Sequence, residues 1–179
     1  MSSVSHILFI LLAATLFFTA CKDRTPVIEL TPDNSSVVKE NMINANRVVI
    51  QSEGTQIDAY VERRGWKMES LPCGALYRIK TVGNGDLIQP DDTVMVSYRL
   101  EALDGTPIYT RQTDTLVVGR QEVTVALDDL LQRLSYGSQA QMIAPSNSAY
   151  GVVGDGDRVA SRTVIVYDIN EIKKINKIK

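Results

Sequence analysis

The chain has 179 residues, 44% of them apolar and 22% charged, with 11 Gly and 6 Pro, the composition of one to one and a half ordinary globular domains. Nineteen basic against 21 acidic residues leave a net charge of -2, which argues against a nucleic-acid binder that works through a basic surface. His6 is the only histidine, and Cys21 and Cys73 are the only cysteines, so a chain processed after residue 20 has no Ser-His-Asp or Cys-His catalysis and no Cys/His zinc site.

In chain order, residues 1–20 come first and read as an export signal. Residues 7–18 are continuously apolar apart from Thr15, a run too short for the roughly 20 residues of a spanning helix. The run ends in Phe18-Thr19-Ala20-Cys21, which resembles a bacterial lipobox, with an ordinary secretory signal as the alternative. The resemblance implies acylation at Cys21 and, with Lys22 following, a lipid anchor in the bacterial outer membrane, facing the periplasm or the cell surface. A lipidated Cys21 leaves Cys73 without a disulfide partner, and Cys73 reads as a small buried hydrophobe.

Residues 21–39, with Pro26, Pro32 and a polar Thr-Pro-Asp-Asn-Ser-Ser stretch, read as a semi-extended tether. Residues 40–66 read as a helical segment, in which Ile43, Ile50, Ile57 and Val61 stand near a seven-residue repeat. Gly54 is a candidate break and Gly65 a natural residue just past the end. Such a stripe implies packing onto the following domain, or a dimerisation helix.

Residues 74–175 then change to a strand pattern. The first strand is expected at residues 75–82, followed by a Gly83-Asn84-Gly85 turn. Val94, Val96, Tyr98 and Leu100 alternate with polar or exposed positions, and Asp104-Gly105 signals a hairpin. Short strands are expected at 116–118 and 139–144, and a central, doubly buried one at 163–172. One helix stands between them: Leu127, Leu130, Leu131 and Leu134 share a face, Asp128 and Asp129 favour its first turn, and Gly137 follows it. The expected class is α+β, a domain able to bury about 65% of its unfolded surface.

Several of these segments, in this order, resemble the FK506-binding-protein (FKBP) type of peptidyl-prolyl cis-trans isomerase. They are Gly83-Asn84-Gly85, Asp91-Asp92-Thr93-Val94 leading to Tyr98, Asp104-Gly105-Thr106-Pro107-Ile108-Tyr109, and Val118-Gly119-Arg120-Gln121-Glu122-Val123. The most specific is Pro145-Ser146-Asn147-Ser148-Ala149-Tyr150-Gly151; Gly154-Asp155-Gly156 and Val166-Tyr167-Asp168 complete the set. The stretch from Ile57 to Trp66 is similar to the helix preceding this domain in the gliding-motility-associated lipoproteins of that family.

The resemblance implies an antiparallel half-barrel sheet wrapped on one short helix, with an N-terminal helical extension. It implies a pocket with Tyr98, Ile108 and Tyr167 as walls, Val123 and Leu127 as floor, and Val159 in a flanking loop. The Thr124 N–H and the Tyr150 hydroxyl would hold substrate carbonyls, with no cofactor and no metal. Leu127 stands where the family has Trp, Ile108 where it has Phe, and Tyr109 where it has an Asp. The segment from Tyr109 to Leu116 is shorter than in compact members. The implied activity is prolyl isomerisation assisting the folding of exported proteins; the alternative is a non-catalytic peptide-binding or chaperone lipoprotein. Implied partners are proline-containing segments, the membrane through the lipid, and envelope proteins, with no nucleic acid.

Overall fold

A computed structural model describes residues 35–175, so the expected signal peptide, the lipidation site Cys21 and most of the expected tether lie outside the described residues. The chain divides into two units, Met1–Asn41 and Met42–Lys179. In the first, the described part is the opening of helix α1 (Ser35–Arg64). That helix takes in residues 35–39, which the sequence reading left to the tether, and it runs unbroken through Gly54. A single interior glycine costs only about 1 kcal/mol relative to alanine. Burial of Ile57 and Tyr60 in the next turns outweighs that cost.

The helix stops as Gly65 implies. Gly65 has φ +60, its N–H donates to the Glu62 carbonyl, and the Trp66 N–H reaches back to the Val61 carbonyl. This paired arrangement satisfies two carbonyls at the helix end. The expected packing face is real only in the second half of the helix, where Ile57 and Tyr60 cluster with Ile143, Val164 and Val166. Ile43 and Ile50, on the same stripe, stay exposed.

Six strands form one antiparallel sheet: β1 (Glu69–Ser70), β2 (Leu76–Thr81), β3 (Thr93–Ala102), β4 (Pro107–Val117), β5 (Gln139–Ala144) and β6 (Ile165–Lys174). Their spatial order is β1-β2-β5-β6-β3-β4. The sheet thus opens at Glu69, upstream of the expected boundary at residue 74. Strand β6 lies between β5 and β3 and packs on both faces. Val164, just before it, and Val166 meet α1, while Ile165, Tyr167, Ile169 and Ile172 join the main core.

Strand β4 corrects the sequence reading, which expected only residues 116–118. It extends over the whole stretch from Pro107, because the short segment after Tyr109 leaves no chain to loop out and pairs directly with β3. Helix α2 (Val125–Leu131) lies against the other side of the sheet, with Leu127, Leu130 and Leu131 at most 1% exposed. Only Asp128 of the two expected acids is in its first turn. Each such leucine stabilises the fold by about 1.5–3 kcal/mol through burial. The observed class is the expected α+β, an antiparallel sheet packed on one short helix with an N-terminal helix before it.

Candidate functional site

Between α2, the faces of β3, β4 and β6, and the loop after β5 lies a cavity of about 380 Å³. Its lining is Tyr98, Asp114, Glu122, Val123, Thr124, Leu127, Ala149, Tyr150 and Tyr167. Period-two alternation puts Tyr98 on the core face of β3 and Tyr167 on the core face of β6. Their ring centroids are 5.5 Å apart with planes at 50°, so they form a continuous aromatic wall. Leu127, in the first turn of α2, is the floor.

The loop between β4 and α2 is tied down at both ends. Asp128, buried in α2, accepts the Gly119 N–H at 2.8 Å, and Glu122 accepts the Val117 N–H at 2.9 Å. These bonds bring Val123 and Thr124 to the rim. Thr124 caps α2 in an extended conformation, but its hydroxyl does not bond the helix. It pairs instead with the Tyr167 hydroxyl at 2.9 Å.

The polar side chains of the cavity are three phenols, two carboxylates and the Thr124 hydroxyl. The Tyr98 hydroxyl donates to the Asp114 carboxylate. Burial pushes the Tyr98 phenol far up from its ordinary value, and the Asp114 bond and charge push in the same direction. Burial likewise raises Tyr150 and, more strongly, Tyr167. All three phenols stay neutral at physiological pH, as an ordinary phenol would, in a partly apolar hollow.

Six of the nine site residues expected from the sequence line this one cavity: Tyr98, Val123, Thr124, Leu127, Tyr150 and Tyr167. Ile108, Tyr109 and Val159 do not. Ile108 and Tyr109 pack, half-buried, against the main core, and Val159 is 4% exposed within it. The Tyr109 hydroxyl donates to Asp155 at 2.6 Å and contacts Asp157 at 3.2 Å, while Arg158 stacks 5.4 Å from the ring centroid. Asp155 in turn accepts the N–H groups of Asp157 and Val159 at 2.9 and 2.8 Å. Tyr109 is thus a latch on the flanking loop. Gly154 makes the turn possible: its φ is +78, and a Cβ there would stand 2.1 Å from the Val159 carbonyl.

Asp114, Glu122 and Ala149 line the cavity without having been singled out from the sequence. Asp114 is two residues before Leu116, so on a strand it shares that residue's inward face, a signal available once β4 is known to extend there. A larger cavity of about 690 Å³ beside Tyr60, Arg63 and Leu103 is a groove between α1 and the β3–β4 hairpin, without the phenol wall. Among the described residues, no three metal-ligating side chains converge.

Residues 85–171 match the family model of FKBP-type peptidyl-prolyl cis-trans isomerases. A probable FKBP-type isomerase of Neisseria meningitidis is 28% identical over 108 residues, covering 59% of this chain and 40% of that protein. One of Haemophilus influenzae is 26% identical over 120 residues, covering 63% and 47%. The chain thus spans less than half the length of these curated relatives. Among solved structures, a peptidyl-prolyl isomerase of Pseudomonas syringae superposes with a TM-score of 0.60 at 24% identity, over 73% of this chain and 96% of that one.

Proposed function

We infer that this chain, whose residues 85–171 match the FKBP-type family model, is a peptidyl-prolyl cis-trans isomerase acting on exported polypeptides from a lipid anchor at Cys21. The observation that carries the reading is the shared cavity of Tyr98, Leu127, Tyr150 and Tyr167.

The chemistry needs no nucleophile. Rotation about an Xaa-Pro bond is opposed by amide resonance, with a barrier of about 18–20 kcal/mol, so uncatalysed exchange takes tens to hundreds of seconds. In the twisted transition state conjugation is broken, and the carbonyl is less polar than in either planar form. A hollow that strips water from the amide favours that state over the hydrated ground state. The aromatic wall and the Leu127 floor supply the apolar surface for the prolyl ring. On this reading the Tyr150 phenol and the Thr124 N–H donate to flanking carbonyls and hold the peptide in one pose.

A second reading, peptide capture without acceleration, is favoured by one feature: Tyr109, at the position of the family's Asp, is committed to the flanking loop. Exchange spectroscopy on a Leu-Pro peptide separates the two. Cis–trans exchange faster than in buffer at catalytic protein concentration supports the isomerase; binding with unchanged exchange supports capture alone. No effect of Tyr150→Ala on either would remove the site assignment.

A further inference from the structure

Glu53 is a carboxylate inside the protein, 5% exposed, on the second half of α1. Both of its oxygens serve one distant residue. Oε2 accepts the Ser146 backbone N–H at 2.9 Å, and Oε1 accepts the Ser146 hydroxyl at 2.6 Å. No lysine or arginine pairs with it among the described residues. A buried carboxylate without a cation is tolerated only when its hydrogen bonds are good, and these two are charge-assisted. The packing of α1 on the sheet, through Ile57 and Tyr60, does not itself call for a charge.

Ser146 opens the loop that carries Tyr150. Its carbonyl accepts the N–H of Ala149 at 3.2 Å and of Gly151 at 2.7 Å, the residues immediately before and after Tyr150. Ser146 is thus held on one side by Glu53 and holds both neighbours of Tyr150 on the other. Tyr150 has no strand or helix of its own to place it.

We propose that Glu53 is a positioning residue for the prolyl site: through Ser146 it sets the stance of the Tyr150 phenol over the cavity, which makes α1 part of the catalytic unit. The proposal rests on the isomerase reading for its catalytic consequence, though not for the placement of Tyr150.

The test uses the full chain with Glu53→Ala, Glu53→Gln and a control, Tyr60→Leu, which disturbs the same helix–sheet contact without touching Ser146. Glu53→Ala is expected to lower kcat/KM on an Xaa-Pro peptide by about ten- to a hundredfold, the scale of a small misplacement of a binding group. Glu53→Gln keeps one acceptor oxygen and recovers part of the loss. Tyr60→Leu loses stability but keeps kcat/KM. NMR of ring-labelled tyrosine supplies a readout independent of turnover: the Tyr150 resonance moves in Glu53→Ala and stays in Tyr60→Leu. A folded Glu53→Ala protein with an unmoved Tyr150 resonance overturns the proposal, as does an equal loss of kcat/KM in Tyr60→Leu. A wild-type chain that fails to accelerate exchange sinks the isomerase reading alone, and the Tyr150 resonance still decides the positioning.

Discussion

The hydroxyl of Tyr98 on β3 donates to the carboxylate of Asp114 on β4, which also draws the Gln112 amide at 3.4 Å. Tyr98 is registered opposite Gln112, so Asp114 is its diagonal cross-strand neighbour, within reach of a long side chain. Asp114 thus brings a carboxylate of β4 to the cavity. Asp114→Ala leaves a largely buried phenol without its acceptor. It should lower stability by about 1–3 kcal/mol and weaken peptide binding, whereas Asp114→Asn, which keeps an acceptor oxygen, should retain most of both. Chemical denaturation and peptide titration of the two variants check this; equal loss in both would mean that the charge, and not the placement of Tyr98, matters.

Tyr109 should behave differently, because its hydroxyl serves the loop and not the hollow. Burial alone would raise Asp155, but the Tyr109 hydroxyl and the N–H groups of Asp157, Val159 and Arg158 outweigh it and hold the carboxyl below its ordinary value of 3.8. A depressed carboxylate contributes stability that is full above that value and lost as pH falls through the lower folded one. Tyr109→Phe should therefore speed amide exchange of Asp157 and Val159 at neutral pH and leave kcat/KM near wild type. It should also shrink the difference between neutral and acid exchange at those amides. A large fall in kcat/KM would return Tyr109 to the site.

Much of this architecture is legible in the residues, and its gaps have physical causes. The β3 alternation and the leucine face of α2 are plain because apolar side chains repeat at the period of the element and all point inward. Strand β4 is obscured because two of its inward positions are Gln112 and Asp114, so no apolar alternation marks it. Tyr150 stands out through its loop motif, but Glu53 does not. A single Glu on a polar helix reads as solvated, and its partner is 93 residues away. The three expected pocket residues that do not line the cavity, Ile108, Tyr109 and Val159, are placed in the pocket by resemblance alone. Family position does not record where a shortened hairpin directs its side chains.

The phenols predict an alkaline signature. Of the seven tyrosines, six (Tyr77, Tyr98, Tyr109, Tyr136, Tyr150 and Tyr167) are raised above the ordinary value of 10.0. A raised folded value contributes stability that is full below the unfolded value and lost as pH rises through the folded one. Tyrosinate absorbance at pH near 10 should accordingly be much lower in the native protein than in denaturant. Peptide binding should persist through the range where a free phenol ionises, then fall together with the fold. Binding that is lost with an ordinary phenol titration, while the fold remains, would show that Tyr98 and Tyr150 are solvated.

Leu127 tests whether the hollow is a packed structure or an open cleft. It is 1% exposed although it lines a cavity of about 380 Å³, so most of its surface is engaged by the core and only its tip forms the floor. Leu127→Ala removes core contacts and should cost about 2–5 kcal/mol. It should also weaken prolyl binding, because the enlarged hollow admits water that the ring must displace. Leu127→Met, close in volume, should cost less than about 1.5 kcal/mol and keep binding. Denaturation followed by the emission of Trp66, the single tryptophan, which sits against Tyr60 on the opposite side of the sheet, measures both variants without disturbing the site. A Leu127→Ala cost well under 1 kcal/mol would mean that water already fills the floor, and a water-poor site for a twisted amide would then be lost as support for the proposed isomerase.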